Sequence, residues 1–161
     1  MVNDRHSGFT LMELMITVSV LAILAALALP SFQSVLDNRR LAGAAENLFA
    51  DLQYARSESI KQNEEIRLQV TSGINWCFGV DDEVGVSCDC NSNACEVGDI
   101  LKNTTASAYS NIQMSAGNVV EFEPRQGFPS PSATYTYTFR IGASGKVKTV
   151  TVNPIGRIKM D

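Results

Sequence analysis

The sequence predicts an α+β protein, in which one long N-terminal α-helix packs on a small antiparallel β-rich head. Three features of the 161 residues predict this fold. An apolar run with a single charge occupies residues 9–29, an amphipathic helical pattern continues to about residue 62, and short alternating segments separated by turns follow. A helical pattern followed by a series of strand patterns is typical of the α+β class.

The apolar run predicts that the first half of the helix, residues 9–30, spans a membrane. From Phe9 to Leu29 the only charged side chain is Glu13. At about 1.5 Å of rise per residue, this run is long enough to cross the roughly 30 Å hydrocarbon core of a bilayer. A secretory signal peptide would be followed by a small-residue cleavage site, and none follows this run. We therefore expect the apolar helix to be retained.

The second half of the helix, residues 31–62, is predicted to be amphipathic and to pack on the head. Apolar and small side chains recur there every three or four residues, with charged side chains elsewhere on the helical wheel. The stripe consists of Leu41, Ala45, Leu48, Leu52, Ala55 and Ser59. We interpret it as core and not as a binding groove. Asn63 predicts the end of the helix.

Residues 63–161 are predicted to form the β-rich head. The strand candidates are Glu65–Val70, Asn75–Val80, Val119–Glu123, Thr134–Ile141, Lys146–Val152 and Arg157–Met160. Polar and apolar residues alternate most clearly in the fourth and fifth of these, as expected for strands with one buried face. The segment Gly142–Gly145 predicts a hairpin turn between these two strands, and Asn153–Gly156 predicts a turn between the last two.

Four cysteines, Cys77, Cys88, Cys90 and Cys95, lie close together in the head. On the oxidising side of a membrane, such a cluster predicts two disulfides. A zinc site is the alternative interpretation, but residues 9–161 contain no histidine. Pairing Cys88 with Cys90 is sterically poor, because one intervening residue rarely lets the two Cβ atoms face each other. This leaves Cys77–Cys88 with Cys90–Cys95, which we favour, or Cys77–Cys90 with Cys88–Cys95.

The residues at the start of the apolar run form a specific motif. A short polar segment ends at Gly8 and is followed by Phe9-Thr10-Leu11-Met12-Glu13. This sequence closely resembles the signal of type IV pilins and type II secretion pseudopilins. The resemblance implies the type IV pilin fold, removal of residues 1–8 by a prepilin peptidase and methylation of Phe9. It also implies a single-pass protein of the inner membrane with a periplasmic head, which assembles with other pilins through its helix and reaches the cell surface in the pilus.

Glu13 takes the position at which this family has its assembly glutamate. An ionisable side chain inside a membrane helix is unfavourable by about 2.5–3.5 kcal/mol and usually has a partner. We expect the partner to be the N-terminal amine of Phe9 in a neighbouring subunit, within a filament core of stacked helices. The alternative is that Glu13 reaches the membrane surface and has no partner.

The head resembles the FimT/GspH-like branch of the pilin superfamily. The matching segments are Asn75-Trp76-Cys77-Phe78-Gly79 with the Cys-x-Cys loop that follows it, the region from Phe122 to Phe128 around Gly127, and the terminal Gly156-Arg157-Ile158-Lys159. Together with the N-terminal motif, this resemblance extends over nearly the whole chain.

Catalysis is not expected from this sequence. The only histidine, His6, lies in the segment predicted to be removed, so the processed chain lacks the commonest acid–base group near neutral pH. The sequence contains no G-x-S-x-G motif, no P-loop and no helix with metal-ligand spacing. We therefore predict a protein without catalytic residues, cofactor or bound metal.

The net charge of −4 conceals a difference between two parts of the chain. Residues 9–99 carry 5 Lys/Arg and 13 Asp/Glu, a balance of −8. Residues 100–161 carry 7 Lys/Arg and 3 Asp/Glu, a balance of +4. A basic C-terminal third within an acidic chain indicates contact with a polyanion.

Two pairs of cations in the predicted strands account for much of this basic charge. Residues two apart in a strand share a face, so Lys146 pairs with Lys148, and Arg157 with Lys159. If the strands are neighbours, the four cations form a stripe that binds the phosphates of double-stranded DNA without reading its sequence. The alternative is that these are solvent-facing side chains that discourage association of strand edges.

The terminal motif also points to DNA. Gly156-Arg157-Ile158-Lys159 resembles the Gly-Arg-x-Arg motif that is implicated in DNA uptake by FimT-type minor pilins of naturally transformable bacteria, with lysine in place of the second arginine. A glycine lets a phosphate approach the main chain, and an arginine offers it a fork of donors. The predicted DNA contacts are Arg157, Lys159, Gly156, Lys148, Lys146, Arg140 and Lys102.

Two other functions are compatible with the sequence. In the first, the protein is a structural minor pilin that primes pilus assembly, and in the second, it is a type II secretion pseudopilin of the H type. All three functions share the N-terminal helix, so Gly8, Phe9 and Glu13 do not discriminate among them. Salt-dependent DNA binding that requires Arg157 and Lys159 does discriminate.

Overall fold

The computed structural model describes most of the chain. The backbone is described over residues 8–82, 87–92, 94–143 and 145–161, and the side chains over the same ranges without residues 27–31 and 116. Of the predicted leader, residues 1–8, only Gly8 lies within the described ranges.

Residues Leu11–Gln62 form one α-helix, α1, as the sequence predicts. The helix begins after Thr10, whose Oγ1 accepts a hydrogen bond from the Glu13 backbone N–H at 3.2 Å. A threonine at this position satisfies a donor of the first turn that has no partner within the helix. The helix ends because Asn63 adopts a left-handed conformation with φ of 56°, which asparagine tolerates better than most residues.

The chain divides within α1 into two compact units, Met1–Leu36 and Asp37–Asp161. The predicted membrane span, residues 9–30, includes residues 27–30, whose side chains lie outside the described part. Among the described residues, no helix combines the length and the apolar content that crossing a membrane requires.

The second unit contains eleven short strands in its described part. They are β1 Ile66–Thr71, β2 Cys77–Asp81, β3 Glu96–Val97, β4 Ile100–Leu101, β5 Asn103–Thr105, β6 Ile112–Ala116, β7 Val120–Phe122, β8 Pro129–Ser130, β9 Tyr135–Ile141, β10 Val147–Val152 and β11 Ile158–Met160. All six predicted strands are present, with ends that differ by at most two residues. The sequence reasoning missed β3, β4, β5, β6 and β8.

The described strands form two antiparallel sheets and a small hairpin. One sheet has the order β5-β2-β1-β7-β8, the other has the order β11-β10-β9-β6, and β3 pairs with β4. The predicted turns at Gly142–Gly145 and Asn153–Gly156 join β9 to β10 and β10 to β11, as expected. Ser144, within the first of these turns, is not among the described residues.

The core lies between the second half of α1 and both sheets. All six residues of the predicted helix stripe are buried, and five of them, all but Ser59, share one contiguous cluster with buried residues of both sheets. Trp76, just before β2, joins the sheets. Its ring centroid lies 5.7 Å from that of Phe78 in β2 and 5.2 Å from that of Phe139 in β9. Its Nε1–H donates a hydrogen bond to Ile112 O of β6 at 2.9 Å.

The cysteines form the disulfides Cys77–Cys90 and Cys88–Cys95, with Cα–Cα distances of 5.7 and 5.0 Å. The pairing that we favoured from the sequence, Cys77–Cys88 with Cys90–Cys95, is therefore wrong, and the other open pairing is formed. Because all four sulfur atoms are in disulfides, none is available as a zinc ligand.

Two contacts along β2 account for this pairing. Cys77 lies opposite Thr71 in the β1–β2 register, and Cys90 Sγ lies 4.0 Å from Thr71 Oγ1. Cys95 lies over Gly79, where a Cβ would come within 2.6 Å of Cys95 Sγ. The glycine therefore makes room for the second disulfide. The cysteine loop is thus held at two points of β2, which the spacing of cysteines along the chain does not reveal.

We expect the Cys77–Cys90 disulfide to stabilise the head more than the Cys88–Cys95 disulfide. The sequence separations are 13 and 7 residues, and closing a longer loop removes more entropy from the unfolded chain. Cys77→Ala/Cys90→Ala should lower the free energy of unfolding by about 3 kcal/mol, and Cys88→Ala/Cys95→Ala by about 2 kcal/mol. Urea unfolding of the full chain in detergent measures both values. A Cys77–Cys88 crosslink in peptide maps of the unreduced protein would contradict the pairing.

Glu65, just before β1, lies close to other carboxylates. A hydrogen bond with Glu121, then burial and the charge of Glu121, raise the pKa of Glu65 above its ordinary value, and the charge of Arg67 opposes this rise. Arg67 also forms an ion pair with Glu121, with an Nη2–Oε1 distance of 2.6 Å. Because the pKa is higher in the folded than in the unfolded chain, Glu65 contributes stability at acid pH that is lost as pH rises through the folded pKa.

We expect Glu65→Gln to raise the free energy of unfolding at pH 7 by up to about 1 kcal/mol. Glutamine can donate the hydrogen bond to Glu121 without adding a like charge. Below the ordinary pKa of glutamate the gain should vanish, because the wild-type carboxyl is then protonated as well. The measurement is urea unfolding at both pH values, with the exposed neighbour Glu64→Gln as control. An equal gain at both pH values would contradict this account.

Candidate functional site

The register of the second sheet places Lys159 and Arg140 on its outer face. The buried valines of β10 occupy even positions, so the odd positions of β10 face outward. Thr151 pairs with Lys159 of β11, and Val147 pairs with Arg140 of β9. Thr151 and Val147 are about 13 Å apart along the strand. Lys159 is exposed, whereas Arg140 Nη1 donates a hydrogen bond to Ala143 O at 3.1 Å.

Lys148 lies on the opposite face of this sheet. It shares the parity of the buried Val150 and pairs with the buried Phe139. Lys146, two residues earlier, precedes β10 at the hairpin turn, where its carbonyl accepts a hydrogen bond from Ile141 N–H at 3.0 Å. The sheet therefore does not bring the predicted cations into one stripe.

Lys102 lies apart from the C-terminal cations. Its Nζ is 3.8 Å from Asp51 Oδ1 of α1 and 4.6 Å from the centroid of the Tyr54 ring. Burial raises the pKa of Asp51, and the charge of Lys102 opposes this rise. The ammonium group thus compensates a half-buried carboxylate of the helix.

Gly156 forms a tight turn against α1. Its φ of 73° lies in the region that favours glycine. A Cβ on Gly156 would lie 2.6 Å from Gly127 O, 3.0 Å from Arg56 Nε and 3.2 Å from Arg56 Cζ. The space beside Gly156 is therefore filled by the chain itself, and the glycine permits close packing instead of leaving its main chain open to a phosphate.

Arg157 lines an open cleft between α1 and the start of β11. The cleft has a volume of about 380 Å³ and is lined by Gln53, Arg56, Ser57, Ile60, Arg157 and Ile158. The Arg157 backbone N–H donates to Asn153 Oδ1 at 2.7 Å, which holds the turn before β11. No carboxylate occurs among the described residues that line the cleft. Two guanidinium groups therefore share one opening without a negative charge on its walls.

Arg56 is the residue of this cleft that the sequence reasoning missed. It is half-buried, and its Nε is buried without a hydrogen-bond partner among the described residues. The sequence does contain a signal for it, which is that Arg56 has no acidic residue three or four positions away, the spacing at which ion pairs form on a helix. The residues at these distances from Arg56 are Leu52, Gln53, Ser59 and Ile60, which are all uncharged.

Two crystal structures of the type IV minor pilin FimU from Pseudomonas aeruginosa PAO1 are similar to this fold. The structure in space group P21 has a TM-score of 0.58 and 22% identity, and the match covers 77% of this chain and 90% of that chain. The structure in space group P65 has a TM-score of 0.54 and 24% identity, over 75% of this chain and 92% of that chain. At this identity the similarity shows the shared fold, the type IV pilin fold expected from the sequence.

Two family models match the sequence. The model of the prokaryotic N-terminal methylation motif matches residues 3–29, which indicates processing by prepilin peptidase and interaction with other pilins. No curated protein matches the chain. The model of the type II transport protein GspH matches residues 44–156, more than half of the chain. The family and the fold are those of structural pilins. This chain therefore belongs to the GspH family and is a type IV minor pilin or pseudopilin.

Proposed function

We propose that this protein is a minor type IV pilin that binds double-stranded DNA without sequence specificity, for uptake in natural transformation. The contact surface in this proposal centres on Arg157 and Lys159. The observation that carries it is that both side chains are exposed and neither forms an ion pair with a described residue. Lys61, Arg67 and Lys102, in contrast, have carboxylate partners.

The number of cations on this surface sets the expected strength of binding. Each cation that neutralises a phosphate releases condensed counterions, so affinity falls as the salt concentration rises. A few phosphate contacts from one subunit give weak, salt-sensitive binding that several subunits in a filament would strengthen. In this proposal Lys146 and Lys148 lie outside the contact surface. Lys148 faces the opposite side of the sheet from Lys159, and Lys146 lies at the hairpin turn before β10.

The proposal includes the processing and assembly steps of the pilin family. Cleavage after Gly8 exposes Phe9 for methylation, and Glu13 pairs with the N-terminal amine of a neighbouring subunit. In the single chain the Phe9 side chain is 73% exposed, and most apolar side chains between Leu11 and Leu24 are also exposed. Such a surface needs lipid or other helices to cover it. We place the subunit in the inner membrane with a periplasmic head before assembly, a location compatible with its disulfides.

One observation favours a second function, that of a structural minor pilin or a type II secretion pseudopilin of the H type. The match to the GspH model ends at residue 156. Arg157 and Lys159 therefore lie outside the region that this chain shares with the family model, and a purely structural subunit would not require them.

We expect the Arg157→Gln/Lys159→Gln variant to bind duplex DNA about tenfold or more weakly, because it loses two phosphate contacts. The slope of log K against log salt should become less steep by about 2. Fluorescence anisotropy of a labelled duplex measures both quantities, with the full chain in dodecyl maltoside at two salt concentrations.

The matched control is Lys146→Gln/Lys148→Gln, which removes the same charge from another place on the same sheet. It should retain most of the wild-type affinity. Equal losses in the two variants would show that total charge, and not this surface, determines binding. Absence of binding at low salt, by protein with a wild-type unfolding midpoint, would contradict the proposal and favour the structural function.

A further inference from the structure

We propose that the cleft between α1 and the Gly156 turn binds one phosphate group, which Arg56 and Arg157 hold together. This inference deepens the proposed function and rests on it in one respect, since the phosphate is taken to belong to a DNA backbone. It adds a residue of the N-terminal helix to a surface that otherwise consists of C-terminal residues.

The first argument is the unmet hydrogen-bonding capacity of Arg56. Its Nε is buried and has no partner among the described residues. Native proteins rarely leave a buried donor without a partner, because the lost hydration is not replaced. The side chain lines an open cleft, so an acceptor from outside can reach the guanidinium group. A phosphate oxygen that contacts the terminal nitrogens of this group supplies the opposite charge that the half-buried guanidinium group lacks.

The second argument is that two glycines fix the position of Arg56. A Cβ on Gly127 would lie 2.8 Å from Arg56 Cγ and 3.2 Å from Arg56 O, and a Cβ on Gly156 would lie 3.0 Å from Arg56 Nε. Both glycines have positive φ, of 61° and 73°. The arginine stem is thus confined between two backbone turns before any ligand arrives. A confined side chain loses less entropy on binding than a free one does.

The third argument is the chemistry of the cleft wall. The planar guanidinium group matches phosphate geometry and can donate two parallel hydrogen bonds. Ser57 and Gln53 provide a hydroxyl and an amide at the same opening, and no carboxylate lies among the described lining residues. A cleft of about 380 Å³ has room for a phosphate and part of its ester groups. The combination selects an oxyanion over an apolar or cationic ligand.

The test follows the Arg56 Nε–Hε resonance in the full chain in dodecyl maltoside, which contains no phosphate. The first probe is inorganic phosphate, and the second is a short DNA duplex. We expect the Arg56 resonance to shift saturably with both probes. An assigned Arg56 resonance that responds to neither probe would overturn the inference without any substitution.

Variants provide a second readout through duplex affinity. Arg56→Gln should weaken duplex binding about tenfold and reduce the salt slope by about 1. Arg56→Lys keeps the charge and most of the stem but lacks Nε–H, so it should recover only part of the loss. Arg39→Gln is the matched control, an exposed arginine of the same helix, about 25 Å away along the helix axis. It should leave the affinity unchanged.

The outcomes separate the two proposals. If Arg56 responds to phosphate but the chain does not bind the duplex, the phosphate site stands and the DNA function fails. If the Arg56→Gln and Arg56→Lys variants both bind the duplex as tightly as the wild-type chain does, the DNA function stands and the role of Arg56 is overturned. Unfolding midpoints of all variants identify losses that come from misfolding, in which case the resonance titration of the wild-type chain decides.

Discussion

Both sheets of the head depend on a narrow stripe of small and aliphatic side chains along the second half of α1. Ala45 and Ala55 of this stripe are fully buried, and their size lets strands and turns approach the helix closely. Trp76 and Phe139 fill the space between the sheets, where an edge-to-face contact joins them. Because the stripe is narrow, the helix positions beside it also touch the head, and polar residues occupy these positions.

The two flanks of the stripe solve the same electrostatic problem differently. A charge that loses part of its hydration needs a partner. On one flank, the half-buried Asp51 has Lys102 as its partner. On the other flank, Arg56 lies against Gly156 and Gly127 and has no carboxylate among the described residues around the cleft. This difference makes the Arg56 flank the candidate for an external anion, and the flank that holds Lys102 a closed structural contact.

The sequence predicted the helix and strands whose residue patterns are clear within the segment itself. It missed the features that depend on which strand a segment pairs with. The helix and the long alternating strands were predictable from period and composition. Strand β6 alternates over only five residues, and its place in the sheet comes from pairing with β9. The faces of the cations were not predictable, because shifting the register of a strand by one residue moves every side chain to the other face. Lys148 faces the core side because it pairs with Phe139.

The spacing of the terminal motif follows from the period of a strand. Ile158 packs against the core and pairs with the buried Val152, which fixes the rotation of β11. Lys159, the next residue of β11, then points away from that contact, since neighbours in a strand face opposite sides. Gly156 brings the chain close enough to α1 for Arg157 to reach the cleft beside Arg56. Each position of the motif thus has its own physical task, and Ile158 is the residue that sets the face on which Lys159 lies.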